Sequence, residues 1–215
     1  MSDNYTGFAD LTDMLDEYSR LQFVVEQHMN GLATSALVEV QAVDRDKHTV
    51  DVQVLSHQMD GASTQVPHGT IHGLPYGAMQ AGGSLVACHP RVGDKGLASF
   101  CHSDITSVKA NKAASVPTSR RRYSWSDGIY VGGLPGLNGT PTQTIEIDDD
   151  VGIMITAAAG KAVAITAPGG VTITGDVTVT GTLTASGDVV GNGTSLHMHR
   201  HGGITAGSGT SGAPV

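Results

Sequence analysis

A mainly β chain with one N-terminal helix, a small barrel and a long repetitive stalk is predicted by three features of this sequence. Glycine occurs 29 times in 215 residues while aromatic residues supply only 4%, a balance that an ordinary single core does not use. Apolar residues, at 39%, are too many for a disordered chain. Between Ile145 and Val189 the aliphatic residues fall on odd positions, with Met154 and Val190 as exceptions, and a period of two held over that distance is a β signal.

The helix comes first. In residues 1–31, Leu11, Met14, Leu15, Tyr18, Leu21 and Val25 recur at helical spacing, with Asp10 or Thr12 as candidate N-cap and Gly31 as the stop. The apolar stripe has to be buried, either on its own domain or on a neighbouring subunit.

Residues 32–115 change period. The stretches ALVEVQAV and TVDVQVLS alternate apolar and polar positions around DRDKH and read as an antiparallel hairpin. Further strands are expected in GSLVACHP and KGLASFCHS, joined by RVGD. Four or five short strands suit a small barrel of the OB-fold type, where closure removes exposed edges. Residues 116–142 have little periodicity and read as a connector, with GIYV as a candidate added strand.

Little in this part of the chain suggests chemistry. Cys88-His89 and Cys101-His102 offer four ligands of the kinds zinc takes. Adjacent strand residues face opposite sides, however, so buried cysteines with outward histidines are expected instead. Asp148-Asp149-Asp150 lacks the spaced ligands and the glycine of a calcium loop and reads as a solvated turn. No Ser/His/Asp arrangement, phosphate loop or catalytic carboxylate pair stands out, so neither an enzyme nor a small-molecule substrate is expected.

Residues 143–196 form the predicted stalk. From Val171 the chain reads VTITGD, VTVTGT, LTASGD and VVGNGT, six-residue units with an aliphatic residue first and glycine fifth. A single ribbon has no second layer in which to bury such a stripe. A left-handed parallel β-helix folded from one chain would need about three hexads per coil and several coils; four clean hexads give little more than one. Three intertwined copies, each supplying one wall of a prism, bury the stripe on a common axis and leave few free edges. An intertwined triple-stranded β-helix, and hence a homotrimer, is the predicted architecture.

Residues 197–215 end the chain as a metal-binding apex and a Gly/Ser-rich tail. His197, His199 and His201 continue the odd positions, so a strand running on without a bulge would turn them toward the same axis. Imidazoles gathered there are costly to bury unless satisfied, and a metal ion satisfies them most simply. Two histidines from each of three chains supply six nitrogens in octahedral array. That arrangement suits one iron ion per trimer, with nickel or cobalt as substitutes, better than tetrahedral zinc. The bland alternative is a polar tail with incidental histidines.

Charge excludes other partners. The formal net charge is −8, and the one basic cluster is Arg120-Arg121-Arg122, so nucleic acid is not an expected partner. No run of 18 apolar residues exists to span a bilayer as a helix. Met1-Ser2-Asp3-Asn4 carries neither the basic nor the apolar stretch of a secretion signal, so maturation in a cytoplasm with reduced Cys88 and Cys101 is expected.

The order of helix, barrel, stalk and terminal HMHRHGG, with a tail ending GAPV and the barrel phrase RVGDKGLASFCHSDI, resembles the central spike, or baseplate assembly protein V, family of contractile-tailed bacteriophages. The resemblance implies a trimer with an N-terminal OB domain, a triple-stranded β-helix and an apex that holds iron through six histidines. Carried onto this chain, the ligands are two of His197, His199 and His201, and the family's habit of placing the pair directly before glycine or proline favours His199 and His201. It further implies a structural virion protein at the tip of the tail baseplate, assembled in the bacterial host cytoplasm. Its partners would be the baseplate hub and tail tube proteins, and sheath contraction would drive its point through the host outer membrane. A trimeric tail fibre or adhesin would instead end in a receptor-binding head, yet no aromatic follows Trp125 and Tyr130. A secretion-system spike shares the same design, and a hexapeptide-repeat acyltransferase would need a catalytic histidine in a coenzyme A cleft.

Overall fold

A computed structural model describes residues 16–59, 64–200, 202–203 and 207. The elements are α1 (Glu17–Asn30), β1 (Ser35–Asp44), β2 (Thr49–Val54), β3 (Gln58–Met59), β4 (Gln65–Val66), β5 (Ile71–Pro75), β6 (Met79–Ala81), β7 (Ser84–Val86), β8 (Lys95–Phe100), α2 (Thr106–Asn111), β9 (Gly128–Gly133), β10 (Thr144–Asp148), β11 (Gly152–Thr156), β12 (Val190–Gly191) and β13 (Thr194–Ser195). The protein is mainly β, and it divides into two compact units, residues 1–161 and 162–215.

In the first unit, α1 is capped by Asp16, whose carboxylate accepts the Ser19 amide at 2.7 Å, and it stops at Gly31 as expected. The expected caps Asp10 and Thr12 lie outside the described residues. Tyr18, Leu21, Val24, Val25 and Met29 are all exposed, so the first unit does not cover the helix's apolar face.

The core belongs to a five-stranded antiparallel sheet of order β5-β2-β1-β8-β9. Alternation decides which side chains enter it: Val38 and Val40 from β1, then Val50, Val52 and Val54 from β2, are buried while their neighbours face out. The β1–β2 hairpin turns at residues 45–48, where the Asp44 carboxylate accepts the amides of Asp46 and Lys47. The register slips between Val40 and Ala42, between Val50 and Val52, and between Leu97 and Ala98. Such bulges sharpen strand twist, and here the sheet curls until its outer strands meet. Tyr76, just past β5, bridges Tyr130 of β9 in parallel, and the Gly77 amide donates to the Tyr130 carbonyl at 2.8 Å. Gly96 permits this curl, since a Cβ there would collide with the Gly132 carbonyl oxygen and stand 2.5 Å from the Tyr130 hydroxyl.

Two expectations need correction. GSLVACHP is not a strand paired through RVGD: only Ser84–Val86 is extended, and it pairs with β6 in a separate small hairpin. Cys88 is exposed rather than buried, and Cys101 is half-buried, because each lies outside a strand. The stretch read as a connector contributes β9, the GIYV strand, whose Tyr130 lies in the core.

A polar latch fastens one end of this sheet. Asp104 and Asp127 are buried, and Arg121 donates to both, from Nη2 to Asp104 at 2.8 Å and from Nε to Asp127 at 3.0 Å. Asp104 also accepts Thr118 Oγ1 at 2.6 Å, Ser119 Oγ at 2.8 Å and the Thr106 amide at 2.9 Å. The hydroxyls of Thr106 and Thr118, followed by the Thr106 amide, hold the Asp104 carboxyl far below the usual carboxylate range.

Residues 144–156 form the β10–β11 hairpin, turned at the three aspartates as expected, where Asp148 accepts the amides of Asp150 and Val151. Ile145 faces Ile155 and Ile147 faces Ile153, so the odd-position stripe survives the reversal of the chain. All four isoleucines are exposed, from 59% to 80%. In the second unit no strand pairing occurs between residues 162 and 189, and Val163, Ile165, Val171, Ile173, Val177, Val179, Leu183 and Val189 also stand in solvent. The fifth-position glycines Gly175 and Gly181 take φ of 126° and 133°, which fits corners between hexads.

Leu74 is fully buried, so Leu74→Ala is expected to destabilise the first unit by about 2–5 kcal/mol in urea unfolding. Asp104 contributes stability that is complete above the ordinary carboxylate pKa of about 4 and is lost as pH falls toward its depressed folded value. Asp104→Asn should therefore lower stability most at neutral pH. Urea curves of variant and parent should draw together as the pH drops below about 4.

Candidate functional site

The histidines follow a short terminal hairpin. Val190 pairs with Ser195 and Gly191 with Thr194, around Asn192 and Gly193 at φ of 48° and 78°. Two successive positive φ values are what a primed two-residue turn requires, and Asn-Gly is its preferred sequence. The expected strand running straight on from Val189 to the histidines is thus corrected. The unit VVGNGT is a reversal rather than a fourth wall segment, because its Asn-Gly pair closes a hairpin.

Past the hairpin, the chain coils tightly. The His199 amide donates to the Ser195 carbonyl at 3.1 Å, and the Met198 amide donates to Ser195 Oγ at 2.7 Å. From the other side the Asp188 carboxylate accepts the His197 amide at 3.1 Å, and the Leu196 amide donates to the Val189 carbonyl at 2.8 Å. The Ser195 hydroxyl, and after it the His197 amide, hold the Asp188 carboxyl below its ordinary range. Asp188 and Ser195 therefore fix the backbone that carries both described histidines. Sequence reasoning passed over them, although Asn192-Gly193 was the available signal.

His197 and His199 are exposed, and His201 lies outside the described residues. His199 Nδ1 stands 3.0 Å from the Leu196 carbonyl. A carbonyl only accepts, so Nδ1 carries the proton and the ring's lone pair sits on Nε2, the tautomer that a ligating imidazole needs. The donor chemistry fits a metal such as iron. Among the described residues no three metal-ligating side chains gather within one chain, around the histidines or around Cys88-His89 and Cys101-His102.

Because Asp188 is the acceptor for the His197 amide, Asp188→Ala should speed hydrogen exchange at that amide about fivefold. Exchange at core amides of β1 and β2 should be unchanged.

The comparisons bear on this same end of the chain. A family model described as the GpV Apex motif matches residues 193–215, the second strand of the hairpin, the histidine coil and the tail. No curated protein matches the chain. The match makes this end of the chain similar to the apex of the phage baseplate central-spike family and so suggests a phage spike protein.

Proposed function

We propose that this chain is the trimeric central spike of a contractile phage tail baseplate, a structural protein without catalytic activity that pierces the host outer membrane. The observation that carries the reading is the exposed aliphatic stripe leading to a matched apex motif. Thirteen aliphatic side chains on odd positions, from Ile145 to Val189, have no cover within the chain. At about 25 cal/mol per Å² of apolar area, burying them is a strong drive to associate. Three intertwined chains forming a triple-stranded β-helix would also pair the strand edges that residues 162–189 leave open.

The barrel fits the blunt end of such a spike. Its strand order, closed by the parallel bridge from Tyr76 to Tyr130, supports an OB-fold, and the baseplate hub and tail tube would dock there. At the point, His199 with His197 or His201 from each chain would hold one iron ion per trimer. When bound, the ion supplies a cross-link among three chain ends. Asp188 and Ser195 keep the histidine backbone in place, and the Leu196 carbonyl keeps the His199 lone pair on Nε2. A spike of this kind is a virion part, assembled in the host cytoplasm.

Sedimentation of the purified protein should give a homotrimer, and Val177→Asp should abolish it by setting three like charges on the axis. A monodisperse monomer with intact β content would refute the reading. Elemental analysis should find one metal per three chains. His199→Ala should remove it, and acidification below about pH 6, where imidazoles protonate, should release it. The trimer should persist after that loss, since its aliphatic axis does not depend on the ion.

A further inference from the structure

The basic triplet does two different things in the fold. Arg121 is consumed by the latch, bonded to Asp104 and Asp127. Arg120 and Arg122 make no ion pair with any described acid, although acidic residues outnumber basic ones by 20 to 12. Both line an open cleft of about 430 Å³ together with Ser103, Pro117 and Ser119.

This cleft is held rigid from behind. Arg121 anchors the triplet's centre to two buried carboxylates, and Tyr123 directly follows it in the left-handed region at φ 48°. The Tyr123 carbonyl accepts the Ala33 amide at 2.9 Å, and its ring meets His102 edge-on at 5.7 Å. Arg122 Nη1 donates to His102 Nε2 at 2.6 Å and to Ser103 Oγ at 2.8 Å. Arg122 Nη1 also lies 3.3 Å from His102 Nδ1, which stands 2.7 Å from Ser103 Oγ. The result is two guanidiniums with no acid partner among the described residues, Arg122 being positioned by His102 and Ser103 beside the anchored Arg121.

The cleft's place in the fold is equally specific. Asp127 and Cys101 sit just beyond the Phe100–Gly128 end of the β8–β9 pair, where the Cys101 amide bonds the Asp127 carbonyl. The chain leaves toward residues 134–161 from the other end, at Gly133, about 17 Å away along a six-residue strand. Helix α1, with its uncovered apolar face, joins the sheet at the cleft's end through the bond from Ala33 to Tyr123.

The geometry points to a docking socket for an acidic protein surface, in which Arg120 and Arg122 receive carboxylates of the partner near the Phe100–Gly128 end of the β8–β9 pair. Planar guanidiniums suit carboxylates in bidentate pairing, and their fixed setting lowers the ordering cost of binding. Two guanidiniums without an acid partner among the described residues give the cleft local positive charge, and its volume of about 430 Å³ admits a short acidic segment. That the partner belongs to the baseplate rests on the spike reading; the recognition of carboxylates does not.

Calorimetric titration of the full chain at low salt with a hexaglutamate peptide, inorganic phosphate and a short DNA duplex tests the socket. The peptide should bind at one site per chain. The Arg120→Ser, Arg122→Ser double variant should bind it about tenfold more weakly, and Arg120→Lys, Arg122→Lys should recover part of the loss. Phosphate and DNA should bind more weakly than the peptide. Equal peptide affinity in parent and serine variant, no peptide binding to the parent, or tighter binding of phosphate or DNA would each overturn the proposal. Sedimentation and metal content of the same serine variant should match the parent, so failure of the socket is separable from failure of the trimeric spike.

Discussion

Everything distal to the barrel depends on one constraint: an aliphatic stripe that its own chain cannot bury. The first unit has a closed core of small side chains, in which Val38, Val40, Val50, Val52 and Leu74 leave almost no surface to water. Outside that core, Ile153, Ile165, Ile173 and Leu183 have apolar surface in quantity that the chain leaves exposed. The two regions solve the same problem by different routes. Curling a sheet on itself removes its edges within one molecule, whereas residues 162–189 make no strand pairing within the chain.

The barrel's closure and its latch are complementary devices. Bulges in three strand pairs supply the curvature, and Gly96 supplies the close approach. The latch then ties the segment between β8 and β9 to the sheet through Asp104, Asp127 and Arg121. Two buried acids satisfied by several donors are costly to strip of any one partner, so this corner is specific about its arrangement. It also fixes what Arg121's neighbours can do, because a side chain pinned at the centre of a triplet positions the two beside it.

Periodicity carried most of what was legible in the sequence. The β1–β2 hairpin, the stop at Gly31, the aspartate turn and the uniform facing of the stalk isoleucines all follow from local pattern and turn chemistry. Long-range partnerships were not legible. Nothing in GSLVACHP says that it pairs backward with Met79–Ala81 rather than forward with β8. Asp104, Thr118, Arg121 and Asp127 are scattered over 24 positions and form one network only after folding. At the candidate site the histidines were visible as residues, yet their setting was misread. A regular hexad and an Asn-Gly turn can share the same six letters, and the left-handed backbone at Asn192 and Gly193 decided for the turn.

The β10–β11 register has a consequence for how such a shaft can vary over evolutionary time. Residues pair so that odd faces odd, and glycines at Gly175 and Gly181 mark corners one hexad apart. Gain or loss of one residue would invert every side chain downstream, exchanging valines for threonines on the aliphatic face. Gain or loss of a whole hexad changes only the length. On the trimeric reading, length would then be a digital variable: selection could count the repetitive segment up or down in units of six without redesigning the residues before or after it.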